Sequence, residues 1–62
     1  MPLVTVKVIK GRTVEQKRGL AKDVTEAVVK NFGVPPEAVM IDIVEYNKED
    51  LSQGGKLFID SR

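Results

Sequence analysis

Apolar and β-branched residues dominate the first stretch of the chain. Residues 3–9, LVTVKVI, have valine at every second position, alternating with Leu, Thr, Lys and Ile. A period of two is typical of a β-strand, and apolar residues on both faces indicate a strand that is covered on both sides. The pattern therefore predicts a strand over residues 3–9, which ends at the Lys-Gly-Arg segment that follows.

The next segment has the period of an amphipathic helix. Thr13 precedes Gln16 by three residues, which is the spacing of a capping box at a helix start. Apolar residues then recur on one helical face, at Leu20, Ala21, Val24, Ala27, Val28 and Phe32. Gly33 fits the left-handed residue that ends many helices, and the two prolines after it cannot continue one. We therefore expect a helix that begins after Thr13 and ends at Phe32.

A second strand and a short hairpin complete the predicted elements. Residues 39–46, VMIDIVEY, have Ile41 and Ile43 on one face of a strand. Gly54-Gly55 is a turn signal, and the apolar triplet at residues 57–59 predicts a small edge strand or hairpin. Strand, long helix and strand form a β-α-β unit, in which the strands are parallel and the crossover is right-handed. The expected fold is α/β (α+β), with one domain over residues 1–62.

The small size of the chain indicates self-association. A chain of about 60 residues has a marginal core of its own, and such domains usually add disulfides, metals or oligomerisation. The sequence has 62 residues with no Cys and no His, which excludes disulfides and zinc sites of the usual Cys/His kind. One helix on a two-stranded sheet also leaves one face of that sheet open. Another copy of the chain is the expected cover, so the subunits are expected to assemble through shared sheets.

Charge and hydropathy exclude two classes of partner. Ten Lys and Arg against nine Asp and Glu give a formal charge of +1, which lacks the basic excess of a nucleic-acid-binding protein. No apolar run approaches the roughly 20 residues of a membrane span, and no signal peptide is recognised. We therefore expect a soluble, cytoplasmic protein that binds neither nucleic acid nor membranes.

Most familiar catalytic groups are missing or lack a partner. Without His, the serines cannot form a hydrolase triad. The carboxylates around the second strand are interpreted as solvated surface, because no spacing fixes two of them for acid–base work. The glycine pair lacks the spacing and the helix start of a phosphate-binding loop. No metal site is predicted.

Pro2 is the one residue that these arguments leave with a distinctive chemistry. It is either only a strand-start residue or, once Met1 is removed, a rigid secondary amine. An apolar pocket and a nearby guanidinium would both lower the pKa of such an amine, which makes it a base near neutral pH. With Met1 attached, the same nitrogen is an amide and has no basicity. The strand by itself leaves both interpretations open.

The chain resembles a known family over nearly its whole length. The stretch MPLVTVKVIKGRTVEQKRGLAKDVTEAVVKNFGV, followed by VMIDIVEY and a late Gly-Gly pair, is similar to the short 4-oxalocrotonate tautomerase-like members of the tautomerase superfamily. The most specific features are the initial Met-Pro, the GRT and EQK segments at residues 11–17, and the glycine pair. This resemblance implies a keto-enol tautomerase, which is an isomerase.

The resemblance also implies a mechanism and an assembly. Family members use the amino-terminal proline as a general base, without metal or organic cofactor, to move a proton between oxygen and carbon of an enol/keto carboxylate. Pro2 occupies that position, and Arg12 matches the arginine that binds the substrate carboxylate, usually from a neighbouring subunit. The implied assembly is a homo-oligomer, usually a hexamer built as a trimer of dimers.

Two positions depart from the family pattern of enzymes that act on dicarboxylates. Met40 stands where those enzymes have a second arginine, and Leu51 stands where they have an aromatic residue. Ile9, Met40 and Leu51 are expected to line the pocket. An apolar pocket with one arginine should suit a monocarboxylate with an aromatic or alkyl end, unless Lys48 or Lys56 supplies the missing charge. The alternative is a tautomerase-fold oligomer with dehalogenase-like or decarboxylase-like activity, or with no catalytic role.

Overall fold

A computed structural model describes residues 1–61 of the chain. Its regular elements follow the predicted order of strand, helix, strand and hairpin. They are β1 (Leu3–Ile9), α1 (Val14–Phe32), β2 (Met40–Tyr46), β3 (Ser52–Gln53) and β4 (Lys56–Leu57), with short 3₁₀ turns at Pro36–Ala38, Lys48–Asp50 and Phe58–Asp60.

β1 and β2 form a two-stranded parallel sheet, as predicted. The register runs from the Leu3–Met40 pair to the Ile9–Tyr46 pair, so both strands begin at one edge of the sheet and end at the other. The helix between them forms the crossover of a β-α-β unit. β2 is one residue shorter than predicted, because the Val39 N–H donates to the Pro36 carbonyl (3.1 Å) and closes a 3₁₀ turn.

Both predicted ends of α1 are confirmed. The Thr13 hydroxyl accepts from the Gln16 N–H (3.1 Å), and the Gln16 side chain accepts from the Thr13 N–H (2.9 Å). These reciprocal bonds satisfy two backbone donors that a helix start otherwise leaves open. At the other end, Gly33 adopts a left-handed conformation with φ of 69°. Local hydrogen bonds therefore fix the start of α1. They also restrain the backbone beside Arg12, which directly precedes Thr13.

The apolar face of α1 is only partly covered. Ala21, Val24 and Val28 are half-buried as predicted, whereas Leu20, Ala27 and Phe32 are exposed, Phe32 by 69%. A two-stranded sheet is too narrow to cover the whole apolar face of the helix. The exposed members of this face are therefore available to a neighbouring chain.

The predicted hairpin is present, but its second strand begins one residue earlier and ends two residues earlier than predicted. Gly54 and Gly55 both have positive φ, of 61° and 82°, as the two central residues of a type I′ hairpin turn require. β4 is formed by Lys56–Leu57, and Phe58 and Ile59 leave the strand to form a 3₁₀ turn. The prediction of a strand over residues 57–59 was therefore wrong for its last two residues, because the Phe58 N–H donates to the Leu51 carbonyl (2.9 Å) and folds the segment back.

The chain by itself has no closed core. Among residues 1–61, no side chain is fully buried. The radius of gyration is 14.9 Å, whereas a compact domain of this length has about 11 Å. The accessible surface is 5016 Å², against about 4,000 Å² for a compact monomer of this mass. This extended shape is consistent with a subunit of an oligomer. No helix within the described part of the chain has both the length and the apolar character that crossing a bilayer requires.

Candidate active site

The two residues expected to act on the substrate lie at opposite ends of β1. Pro2 directly precedes the strand, and Arg12 follows its last residue, Ile9, by three positions. With a rise of about 3.3 Å per residue, the strand separates them by roughly 25 Å. A single chain therefore cannot bring Pro2 and Arg12 to one small substrate.

Pro2 lies at the amino end of the sheet among apolar residues. It is half-buried, and its carbonyl accepts a hydrogen bond from the Met40 N–H (2.9 Å), which anchors its backbone to β2. Leu3 and Met40 beside it are apolar but leave 63% and 54% of their surfaces exposed. One chain therefore does not enclose Pro2, and residues of a neighbouring chain are needed to complete a pocket around it.

Arg12 lies at the carboxyl end of β1, between Gly11 and the helix cap. It is exposed and lines a cavity of about 250 Å³. The other lining residues are Val8, Gln16, Lys17, Leu20 and Ile43. Lys17 forms an ion pair with Glu45 (2.9 Å), which ties the first turn of α1 to β2 and neutralises the lysine charge. Arg12 pairs with no carboxylate of the described residues, so its guanidinium is available to an anionic ligand.

A second cavity at the same end of the sheet brings two predicted pocket residues together. It has a volume of about 480 Å³ and contains Ile9 and Leu51. Its other lining residues are Lys7, Val8, Tyr46 and Phe58. The sequence prediction did not include Tyr46 or Phe58. The position of Tyr46 at the end of β2 was a usable signal, because ligands of parallel sheets bind at the carboxyl ends of the strands.

The five predicted site residues thus form three groups within one chain. Pro2 and Met40 lie together at the amino end of the sheet, Ile9 and Leu51 share a cavity at the carboxyl end, and Arg12 lines the adjoining cavity. Lys48 and Lys56 are both exposed. The roles of all these residues stay predictions.

A groove of about 520 Å³ along α1 contains none of the predicted site residues. It is lined by Ala21, Lys22, Thr25, Glu26, Val29, Lys30 and Pro36. Its Lys22 and Glu26 pair with each other at 3.3 Å and are largely exposed. A solvated ion pair one helical turn apart needs no ligand, so this groove gives no reason to move the predicted site away from the ends of the sheet.

The family model and the similar proteins that match this chain are all described as tautomerases. Residues 2–61 match the family model described as "Tautomerase enzyme". A probable tautomerase of Bradyrhizobium diazoefficiens is 47% identical over 60 residues, which cover 97% of this chain and 90% of that protein. A 2-hydroxymuconate tautomerase of Bacillus subtilis is 45% identical over 60 residues, which cover 97% of each chain.

Solved structures show the same fold. The crystal structure of YwhB, a homologue of 4-oxalocrotonate tautomerase, superposes with a TM-score of 0.93 at 43% identity, over 98% of this chain and 100% of that one. A heterohexameric 4-oxalocrotonate tautomerase from Chloroflexus aurantiacus gives a TM-score of 0.90 at 31% identity, over 100% of both chains. The β-α-β unit with its short carboxyl-terminal hairpin is therefore the fold of these proteins.

Proposed function

The chain belongs to the tautomerase family as an isomerase similar to 4-oxalocrotonate tautomerase, and from that premise we propose that it interconverts the enol and keto forms of a 2-hydroxydienoate or enolpyruvate-type carboxylate. The observation that supports this function most directly is the position of Pro2. Its ring directly precedes β1, and its carbonyl accepts a hydrogen bond from the Met40 N–H of β2. The adjacent Leu3 and Met40 are apolar. A group held in this way is prepared for proton transfer.

In the proposed mechanism, removal of Met1 converts the Pro2 nitrogen from an amide into a secondary amine. The neutral amine takes the proton from the enol hydroxyl, and the oxygen electrons form the carbonyl. The electrons of the carbon–carbon double bond then accept a proton from the same nitrogen at carbon. No oxidant or reductant is needed, because the proton only changes its place.

Arg12 is proposed to bind the substrate carboxylate. A planar guanidinium donates two parallel hydrogen bonds to a carboxylate, which fixes its orientation as well as its position. The positive charge also draws electron density away from the reacting double bond. Because Arg12 lies roughly 25 Å from Pro2 of its own chain, the proposed site combines Pro2 of one subunit with Arg12 of another.

The assembly that this site requires is proposed to be a homo-hexamer, a trimer of dimers. Its support is the absence of a buried core among residues 1–61 and the incomplete site of one chain. The heterohexamer of the Chloroflexus aurantiacus relative supports the number of six subunits. Native mass spectrometry of the purified protein is expected to show one species with about six times the 6.9 kDa of the chain. A stable monomer that retains full activity would contradict both the assembly and the shared site.

The proposed substrate is a monocarboxylate with an aromatic or alkyl end. Met40 and Leu51 are apolar, and a second carboxylate placed beside them would lose its hydration without gaining a cationic partner. We therefore expect kcat/KM for phenylenolpyruvate to exceed that for 2-hydroxymuconate by at least about tenfold, which corresponds to about 1.4 kcal/mol.

Parallel ketonisation assays of the two enols on chains with Met1 removed measure this preference. The Bacillus subtilis relative carries the name 2-hydroxymuconate tautomerase, so the opposite preference is a concrete competing result. A strong preference for 2-hydroxymuconate would reject the monocarboxylate assignment and keep the tautomerase. A chain that ketonises neither enol would reject the proposed function.

A further inference from the structure

We infer that Lys17 is a positioning residue for substrate binding, because its ion pair with Glu45 keeps that carboxylate from capturing the Arg12 guanidinium. The inference rests on the proposed function, in which Arg12 binds the substrate carboxylate, and deepens it by naming what keeps Arg12 unoccupied. A guanidinium binds any carboxylate within its reach, whether that group belongs to the substrate or to the protein. A carboxylate of the same chain beside Arg12 would therefore act as an internal competitor of the substrate.

Glu45 lies on the face of the sheet that carries the cavity beside Arg12. This cavity, hereafter the Arg12 cavity, is lined by Val8, Arg12, Gln16, Lys17, Leu20 and Ile43. Val8 is paired with Glu45 across the sheet. Glu45 follows Ile43 by two residues, so its side chain points to the same face, and it is nearer to the carboxyl end of β2. The Arg12 cavity has a volume of about 250 Å³, and a space of this size is within the reach of one arginine side chain.

Lys17 holds Glu45 in an ion pair that is partly shielded from water. Its Nζ lies 2.9 Å from Glu45 Oε1, and the two side chains leave 31% and 26% of their surfaces exposed. Without Lys17, Glu45 would keep an uncompensated charge in a half-buried setting, which favours pairing with a cation in reach. Arg12 is exposed and pairs with no carboxylate of the described residues, so it can take the place of the lysine.

The other carboxylate close to Arg12 in sequence, Glu15, is a weaker competitor. Glu15 pairs with Arg18, and these side chains leave 78% and 68% of their surfaces exposed. Exposed ion pairs contribute little, because water and salt screen them. Glu45 is therefore the carboxylate whose release should matter, and Arg18→Ala, which releases Glu15, is the matched control.

Removal of the lysine charge is expected to weaken substrate binding. In Lys17→Met we expect KM for phenylenolpyruvate to rise about tenfold, which means that Glu45 occupies Arg12 in about nine of ten molecules, since apparent affinity falls with the fraction competent to bind. The value of kcat should change less than about twofold, because the base is untouched. Lys17→Arg keeps the charge and should retain the KM of the parent protein. Inhibition constants for phenylpyruvate measure the same effect without relying on KM.

A second substitution distinguishes competition from loss of structure. In Lys17→Met/Glu45→Gln the competing charge is gone, so KM should return to within about threefold of the parent value. Glu45→Gln alone breaks the same ion pair and should leave KM at or below the parent value. If the pair only tied α1 to β2, all three variants would raise KM. Thermal unfolding and native mass spectrometry report the loss of stability, which we expect to be similar in the two single variants.

Nitrogen NMR of the arginine side chains tests the pairing without any reaction. The Nε–H resonance of Arg12 is assigned by its absence from Arg12→Lys. We expect this resonance to shift in Lys17→Met, where Glu45 binds the guanidinium, and to return to its parent position in Lys17→Met/Glu45→Gln. A resonance that does not move in the first variant, or does not return in the second, would overturn the inference.

Two further outcomes contradict the inference while leaving the proposed function intact. One is an equal rise of KM in Lys17→Met, Glu45→Gln and the double variant, and the other is loss of assembly in both variants that lack Lys17, since either assigns the ion pair a purely structural role. Failure of the proposed function has a different signature, namely ketonisation that does not depend on Pro2. In that case the NMR comparison still decides whether Lys17 keeps Glu45 from pairing with Arg12.

Discussion

Replacement of Pro2 by alanine is expected to lower kcat for enol ketonisation by about 10²–10⁴-fold, the range that a positioned general base contributes. Pro2→Ala keeps an α-amine but removes the ring that restrains it at the start of β1. A flexible primary amine samples many orientations, so it transfers a proton less often to the correct carbon. Steady-state ketonisation of phenylenolpyruvate, with the mass of each protein checked intact, measures this effect.

A chain that retains Met1 provides a sharper form of the same test. Its sequence is unchanged, but the Pro2 nitrogen is an amide whose lone pair is delocalised, so it cannot act as a base. We expect this chain to be as inactive as Pro2→Ala or more so. Pro35→Ala, in the loop after α1, is a matched proline control that should leave kcat unchanged. The parent rate in both the fully processed Pro2→Ala variant and the chain that retains Met1 would eliminate the amine of residue 2 as the base.

Replacement of Arg12 by alanine is expected to raise KM for a carboxylate enol by about 10- to 100-fold, as the loss of charge-assisted hydrogen bonds predicts. Its effect on kcat should be smaller than that of Pro2→Ala, because the base remains in place. Arg12→Lys should recover part of the affinity through its charge but not the two-bonded geometry. Inhibition constants for a product carboxylate give the affinity without relying on KM alone.

Arg18 supplies the matched arginine control. It is exposed on α1, where it pairs with Glu15. Arg18→Ala removes the same charge from the protein a few residues away, so it separates a local carboxylate contact from a general electrostatic effect. Arg12 is excluded from substrate binding if Arg12→Ala and Arg18→Ala have the same KM.

The position of Pro2 and Arg12 at opposite ends of β1 allows a complementation experiment. Mixed oligomers of the inactive Pro2→Ala and Arg12→Ala chains contain sites whose base comes from one variant and whose arginine comes from the other. Random mixing of subunits restores roughly a quarter of the sites in such an assembly. A site contained within one chain would recover nothing on mixing, so restored activity would identify a site shared between subunits.

Local sequence signals predicted most of the secondary structure. Thr13 and Gln16 are close in sequence and form the capping box by themselves, and the alternation at residues 3–9 specifies β1. The parallel pairing follows from the helix between two strands. The Phe58 turn was missed because its hydrogen bond to Leu51 spans seven residues and joins two segments that local propensity does not relate.

Some residues of the candidate site could be predicted from the sequence, and others became apparent only in the structure. Pro2 and Arg12 were identified from the sequence because their chemistry is distinctive and their positions match a family pattern. The sequence by itself therefore determined the β-α-β topology and the helix ends. It also supplied the candidate base, Pro2, and the candidate residue for binding the substrate carboxylate, Arg12. The separation of Pro2 and Arg12 follows from the length of β1, which the sequence also predicted. Only the tertiary structure decided that Tyr46 and Phe58 join Ile9 and Leu51 in one cavity. The reason is physical: capping and periodicity act over a few residues, whereas a pocket is formed by side chains that are distant in sequence and meet only after the strands pair.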